Sequence, residues 1–503
     1  MRKKVSVVGY EFLRQSLGLT GFAVMRPAQV RPVTRVMPAD GLLAVPAHVA
    51  PQANDPLDHV LFALKHEGVN LQLLAQAMPA IPAVRLLAAL QQTPNGQYLR
   101  VACFFWESFT GQQLAGRPDI AVGYVDVFDS VRYVTGPAQR DARWRVNFNG
   151  FGSLRYCATV ERTPAIEAGI ASDILGRADV FAKTLGPIML DRALAWAYLH
   201  ETEDSYAIEH EKPSEDKARA FVQLLHQAHE GRALTEDYLA ELQSSTVTNP
   251  LDKAVQFRTE QNWLRGPGRG SAGVTYVPPW PELGVQLMDE WMAFANNAPG
   301  QIDPIVAASV ASFGFVFIHP FMDGNGRLSR FLFHQALCTS GKLGKGLLLP
   351  VSVAMKRHEA DYLAVLQGYS RQARERVQVT WIDEGEYRFE FKTDDAVFRY
   401  WDATACVEFG FRMAAQALDV ELRQETQFLA RYDRVLTEVD ARVDIRGNDL
   451  ATLVVICLDN EGVISKKKRK RFADRVPEPV FDLIETTVRD TLSDEVEQSS
   501  SED

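Results

Sequence analysis

Cysteine is scarce in this chain. Five thiols (Cys103, Cys157, Cys338, Cys406 and Cys457) are scattered over 503 residues, odd in number and with no CxxC pair. That excludes a disulfide framework and suits reduced thiols in a cytoplasmic protein. Long apolar runs are absent too. No stretch approaches the ~20 residues of a membrane-spanning helix, and Glu11 and Arg14 interrupt the short apolar segment that follows the basic N-terminus, so no signal-peptide core forms. Membrane partners are therefore not expected. Positive charge is in deficit: a net charge of −10 excludes broad coating of nucleic acid, while a local basic patch stays open. There is no GxxxxGK[ST] phosphate loop, no internal repeat and no His/Cys cluster at metal-ligand spacing.

What is present is the composition of a soluble globular protein, 46% hydrophobic and 23% charged, long enough for about three units at roughly 100–200 residues per domain. Residues 1–58 are proline-broken and loop-rich, with a short strand expected near Gly41–Val45. Apolar faces at helical spacing follow from Leu57 to Phe109. Val122–Val127, Val131–Val134, Arg143–Phe148 and Tyr156–Val160 alternate as strands do, and Arg143, Trp144 and Arg145 read as the wet face of a hairpin rather than a nucleic-acid contact. Residues 165–243 read as helical, with Pro213 stopping a helix on which Ser205 and Glu209 share a face. Phe257–Leu264 and Val274–Val277 flank a glycine-rich tip and predict a β-hairpin. Lys466–Arg471 is the sharpest charge run, either a solvated connection or a DNA-contacting segment.

One stretch concentrates the chemistry: His319-Pro320-Phe321-Met322-Asp323-Gly324-Asn325-Gly326-Arg327-Leu328-Ser329-Arg330. An apolar helix leads in and a helical pattern leads out, so the stretch reads as a tight polar loop feeding a helix N-terminus. Glycines let the loop turn sharply and expose N–H groups, and a helix start favours anions. Arg327 and Arg330, three apart, project from one face toward the same anion. Asp323 suits magnesium, which takes oxygen ligands and bridges phosphates. His319, at the loop's start, is placed to take a proton from an attacking hydroxyl. Together these predict transfer of a phosphorus-centred group to a hydroxyl, with stabilisation by positioning and charge.

His319–Arg330 resembles the signature of Fic-domain (Fido) adenylyltransferases, H-x-F-x-[DE]-G-N-G-R-x-x-R, at every defined position. The resemblance extends upstream to the Phe257–Pro279 segment, which looks like the family's target-binding flap, and downstream to about residue 376. It implies that His319 is the general base and that Asp323 holds Mg2+. It further implies that Gly324, Asn325, Gly326 and Arg327 cradle the phosphates of ATP, that Arg330 binds the γ-phosphate, and that Tyr362 packs the nucleoside. The implied reaction moves AMP from ATP to a Ser, Thr or Tyr hydroxyl of a protein held along the flap. Ser205-Tyr206-Ala207-Ile208-Glu209-His210 resembles the family's inhibitory helix, [ST]-x-x-x-E-[GN], except that His210 replaces Gly or Asn. That likeness implies self-inhibition through Glu209 on Arg330.

The expected fold is mainly α. An all-helical Fic core with a β-hairpin flap occupies residues 246–380, preceded by an α+β module (1–190) and a helical segment with the inhibitory motif (191–245). A helical region with an acidic disordered tail follows (381–503). Alternatives left open are de-AMPylation at the same site, with Glu209 orienting water, and a DNA-binding or toxin-type regulator carrying a Fic domain. Self-modification and a homo-oligomer also stay open.

Overall fold

A run that is apolar on every side can only be stable in a protein interior, and the stretch Pro304–Ile318 forms such a helix at the centre of this one. In a computed structural model of the chain, which describes residues 6–51, 54–383, 385–445 and 448–499, this helix is buried over almost its whole length. Asp303 caps it by accepting from the N–H groups of Ile305 and Val306, with Pro304 in the first turn, as helix starts favour. The architecture around it is mainly α with small sheets.

The elements that position the site are seven helices and two hairpins. They are α1 (Pro187–Ile208), α2 (Glu236–Thr246), strands β1 (Leu264–Arg265) and β2 (Val274–Tyr276), and α3 (Pro304–Ile318). Then come α4 (Asn325–Thr339), α5 (Val351–Arg357), α6 (Glu359–Arg374), strands β3 (Val377–Asp383) and β4 (Glu386–Phe391), and α7 (Thr404–Gln416). Helix α3 packs between α4 and α7. One continuous core draws residues from Phe151 to Leu422, so it crosses the boundaries expected at 190, 245 and 380. A second core spans Tyr10 to Cys157 with Ala396 and Tyr400; strand Tyr400–Asp402 joins the two by pairing parallel to Tyr156–Thr159. A third, Val435 to Val488, belongs to the last helices.

Four expectations change. The region after residue 380 opens with a hairpin, because Val377, Val379 and Trp381 alternate on β3 against Phe391, Phe389 and Tyr387 on β4. The expected tail is helical through Ser499, and residues 500–503 lie outside the described residues. Strand pairing across the glycine-rich tip is confined to β1 and β2; Phe257–Trp263 is not strand, since its polar groups are spent on the motif loop described below. Arg143 and Trp144 turn inward onto the Glu107 carboxylate. Lys466–Phe472 is itself a short helix, in which Arg469 pairs with Glu478, Asp482 and Glu485. Among the described residues no single helix is long and apolar enough to cross a membrane.

Helix α1 is fastened to α4 and α5 by one buried carboxylate. Glu201 accepts from His334 Nε2 at 2.6 Å, from the Ser352 hydroxyl, and from the Ser352 N–H at 2.7 Å. The last contact satisfies a first-turn N–H of α5 that has no intrahelical acceptor. Glu201→Ala strands the His334 and Ser352 donors in the interior, and a loss of ~3 kcal/mol or more is expected. Urea unfolding should show a lower midpoint at unchanged slope.

Candidate active site

His319 ends α3 in the left-handed region, at φ +55°. A non-glycine residue costs roughly 1–2 kcal/mol there, so its surroundings must hold it. Its N–H donates to Phe315 O, and its carbonyl accepts from Arg258 Nε at 2.9 Å. The ring Nδ1 lies 3.0 Å from Val316 O. A carbonyl only accepts, so Nδ1 carries the hydrogen and Nε2 keeps a lone pair. Burial, reinforced by the Arg258 charge, lowers the imidazole pKa to about 4 against the bond to Val316. His319 is therefore a neutral base at ordinary pH.

The loop beyond it is braced from inside. Gly324, at φ +83°, makes the turn into α4, a conformation natural to glycine. Asn325 accepts from Phe321 N–H and donates back to Phe321 O. Asn262 donates to the same carbonyl, and Gln243 of α2 donates to Asp323 O. Arg258 threads the base of the flap onto the loop: besides His319 O it donates to Glu260 O and Pro279 O, and its own N–H reaches Pro320 O. Tyr276 of β2 donates to Phe317 O. The flap and the catalytic loop are one hydrogen-bonded unit.

Arg327 and Arg330 stand one turn apart on α4, each 1% exposed. Arg330 donates through Nε to Ser205 Oγ (2.9 Å), and through Nη2 to Ser205 O (2.6 Å) and Glu209 Oε1 (3.0 Å). Arg327 donates through Nη1 to Glu211 (2.8 Å) and Thr248, and through Nη2 to Asp323 (3.1 Å). Burial works against the charge of Arg330, yet Glu209 and Tyr362 hold its pKa above the ordinary value. Among the described residues, Arg327 Nε and Arg330 Nη1 are buried without a hydrogen-bond partner, which is costly unless an acceptor arrives. Above Gly326 the Glu209 carboxylate sits so close that a Cβ would lie 2.1 Å from Oε1. Glycine there leaves a cradle at a helix start, and Glu209 fills it.

The end of α1 that delivers Glu209 is a Schellman turn. His210 N–H donates to Ala207 O and Glu211 N–H to Tyr206 O, with His210 left-handed at φ +58°. That is the position where helices favour Gly or Asn, so the histidine keeps the turn at some cost in strain.

These residues are of the kind that could hold a nucleoside triphosphate with magnesium. The two unpartnered guanidinium donors, the first-turn N–H groups of α4 and the Gly326 cradle suit phosphate oxygens. Asp323, 43% exposed, supplies the one carboxylate that magnesium shared with phosphates commonly needs.

Residues 233–337 match the model of the Fic/DOC family. The chain carries a Fic domain. Protein adenylyltransferase Fic of Aedes aegypti is 32% identical over 114 residues, covering 22% of this chain and 19% of that protein. Protein adenylyltransferase Fic of Drosophila grimshawi is 36% identical over 89 residues, 17% of this chain and 16% of that one. The chain thus aligns with under a fifth of the length of these curated relatives. The crystal structure of a Fic family protein from Desulfovibrio desulfuricans G20 aligns over 63% of this chain and 95% of that one, at 19% identity and a TM-score of 0.39.

Within the Fic domain and its surroundings, the structure brings together His319, Asp323, Gly324, Asn325, Gly326, Arg327 and Arg330 from the motif, and Ser205 and Glu209 from α1. Tyr362, expected beside a nucleoside, is buried, its ring stacked on Phe409 (centroids 5.8 Å apart) and near Phe313, its hydroxyl beside the Arg330 guanidinium. Sequence reasoning missed Arg258, Asn262, Gln243, Thr248 and Glu211. Four of these reach the site from segments distant in sequence from the motif, and nothing in their local pattern names the motif loop as partner. Glu211 was open to notice, two residues past Glu209 on the far side of the turn.

Two outcomes follow. His319 should stay neutral in a ring-proton NMR titration down to about pH 5. The unfolded chain, with its ordinary histidine value near 6.5, then binds the extra proton, so this residue's contribution to stability falls as pH drops from about 6.5 toward 4. His210→Gly should raise stability by about 1 kcal/mol by relieving the left-handed strain, read as a higher thermal midpoint.

Proposed function

We propose that this chain is a protein adenylyltransferase, moving AMP from ATP to a Ser, Thr or Tyr hydroxyl of a target protein, and that Glu209 restrains it. The observation that carries the reading is the pairing of a neutral His319, its Nε2 lone pair uncommitted, with two buried arginines that each keep a donor without a protein acceptor. The adenylyltransferase relatives named above support the choice of AMP as the group transferred.

In this reading His319 Nε2 takes the proton of the target hydroxyl as its oxygen attacks the α-phosphorus. The new bond is oxygen to α-phosphorus; the bond from that phosphorus to the bridging oxygen of the β-phosphate breaks, and pyrophosphate leaves with the electron pair. Magnesium, held by Asp323 and the phosphates, would neutralise charge building on the departing group. Arg327 and Arg330 orient the phosphates and stabilise the same charge. A target segment lying along β1 and β2 would be held in register with His319, because Arg258 and Tyr276 tie the flap to the loop.

Glu209 opposes this. Its carboxylate occupies the Gly326 cradle and takes a donor of Arg330, so a γ-phosphate meets negative charge where it needs positive. Incubation with ATP labelled at the α- or the γ-phosphate tests the proposal. Protein-bound label should come from the α position alone, vanish in His319→Ala, and rise at least about tenfold in Glu209→Gly, about 1.4 kcal/mol in the transition state. Transfer of γ-label only would overturn AMP transfer; an unchanged rate in Glu209→Gly would overturn the restraint.

A further inference from the structure

Glu209 is not the sole carboxylate that the end of α1 brings to the arginines. Two residues on, past the left-handed His210, Glu211 places Oε2 2.8 Å from Arg327 Nη1. The contact is built rather than incidental. Thr248, in the loop after α2, donates its hydroxyl to Glu211 and also lies 3.3 Å from the same guanidinium nitrogen. Tyr206 of α1 places its ring under Arg327, 5.1 Å from centroid to guanidinium carbon, and donates to Thr246 O. The end of α1, the loop after α2 and the start of α4 therefore meet at one ion pair.

We infer that Glu211 is a second inhibitory carboxylate, which competes with nucleotide phosphate for Arg327 as Glu209 competes for Arg330. The inference rests on the nucleotide-binding reading above, though not on the identity of the group transferred. The argument is one of donors. Arg327 has Nη1 on Glu211 and Nη2 on Asp323, and only Nε lacks a partner. Arg330 has Nε and Nη2 on Ser205 and Glu209, and only Nη1 lacks one. Departure of Glu211 returns an Arg327 Nη1 donor to an incoming phosphate, and departure of Glu209 an Arg330 Nη2 donor, each a charge-assisted hydrogen bond. Glu209 and Glu211 thus stand in for two phosphates of a polyphosphate chain, held by one turn of backbone.

Electrostatics around the pair agree. Lys253 and Arg327 lie close enough to Lys217 for their positive charges to add to burial in lowering its pKa. An Arg327 released by Glu211 keeps Asp323 but still faces the Lys217 charge, which a polyphosphate relieves and a neutral nucleoside does not. Since both carboxylates bracket His210, displacement of that turn frees both arginines together, whereas removal of Glu209 alone frees Arg330 only.

Equilibrium binding of adenosine, ADP and ATP to the full chain with magnesium, by calorimetry, tests this without reference to catalysis. Glu211→Gln should tighten ADP and ATP about three- to tenfold, the range expected for loss of one half-exposed competing ion pair, with adenosine unchanged. Glu209→Gly should tighten ATP more than ADP, and the double variant should exceed both. Thr248→Val, which removes the buttress but no charge, should move ADP and ATP affinity the same way by less. Thermal midpoints establish that each variant is folded. ADP and ATP affinities within twofold of the parent in Glu211→Gln, or equal tightening of adenosine, would overturn the inference. Failure of AMP transfer with the affinity pattern intact would count against the proposed reaction instead.

Discussion

The antiparallel seam between α1 and α4 governs this molecule. Read outward, Glu201 meets His334, Ser205 and Glu209 meet Arg330, and Glu211 meets Arg327. Residue numbers rise along one helix as they fall along the other, one turn per rung. Burying a guanidinium costs several kcal/mol unless its donors are satisfied, so α4, which carries two buried arginines, requires anionic neighbours. The end of helix α1 supplies them. In the proposed function the same requirement would draw a polyphosphate to the place that the protein's own carboxylates now fill.

The seam is graded. Its inner rung, Glu201 with His334, is 1–2% exposed, whereas the Glu209 and Glu211 side chains are 37% and 35% exposed. Water reaches the outer rungs and weakens them relative to the inner one. Opening is therefore easiest at the C-terminal turn of α1 while the rest of the helix stays anchored. A strained His210 at that turn lowers the cost of rearranging it further.

The motif loop was legible in the sequence because the chemistry of His319 through Arg330 is dense and contiguous. The meeting of Ser205 and Glu209 with Arg330 was legible through the likeness of Ser205–His210 to the family's inhibitory helix, since a shared helix face alone reads equally as an ordinary amphipathic helix end. The bracing was not. Arg258 and Asn262 act through carbonyls, which every residue possesses, so nothing in their identity announced the partner. Their use on the loop also explains why Phe257–Trp263 does not extend the flap as strand. The β3–β4 hairpin did alternate in sequence, Val377, Val379 and Trp381 with Gln378 and Thr380 between them, but it opens a charge-rich region that otherwise reads as helix. The span of the main core was invisible, since packing of residue 151 against residue 422 leaves no local trace.

Arg258 carries a consequence for the choice of acceptor. Its guanidinium joins the base of the flap to the carbonyl of His319 itself, so the flap cannot rise without dragging the imidazole with it. The gap between a backbone seated on β1 and the proton-accepting nitrogen is thereby a fixed length. In the proposed function the site would work as a gauge, sorting side chains by how far their hydroxyl projects from the main chain.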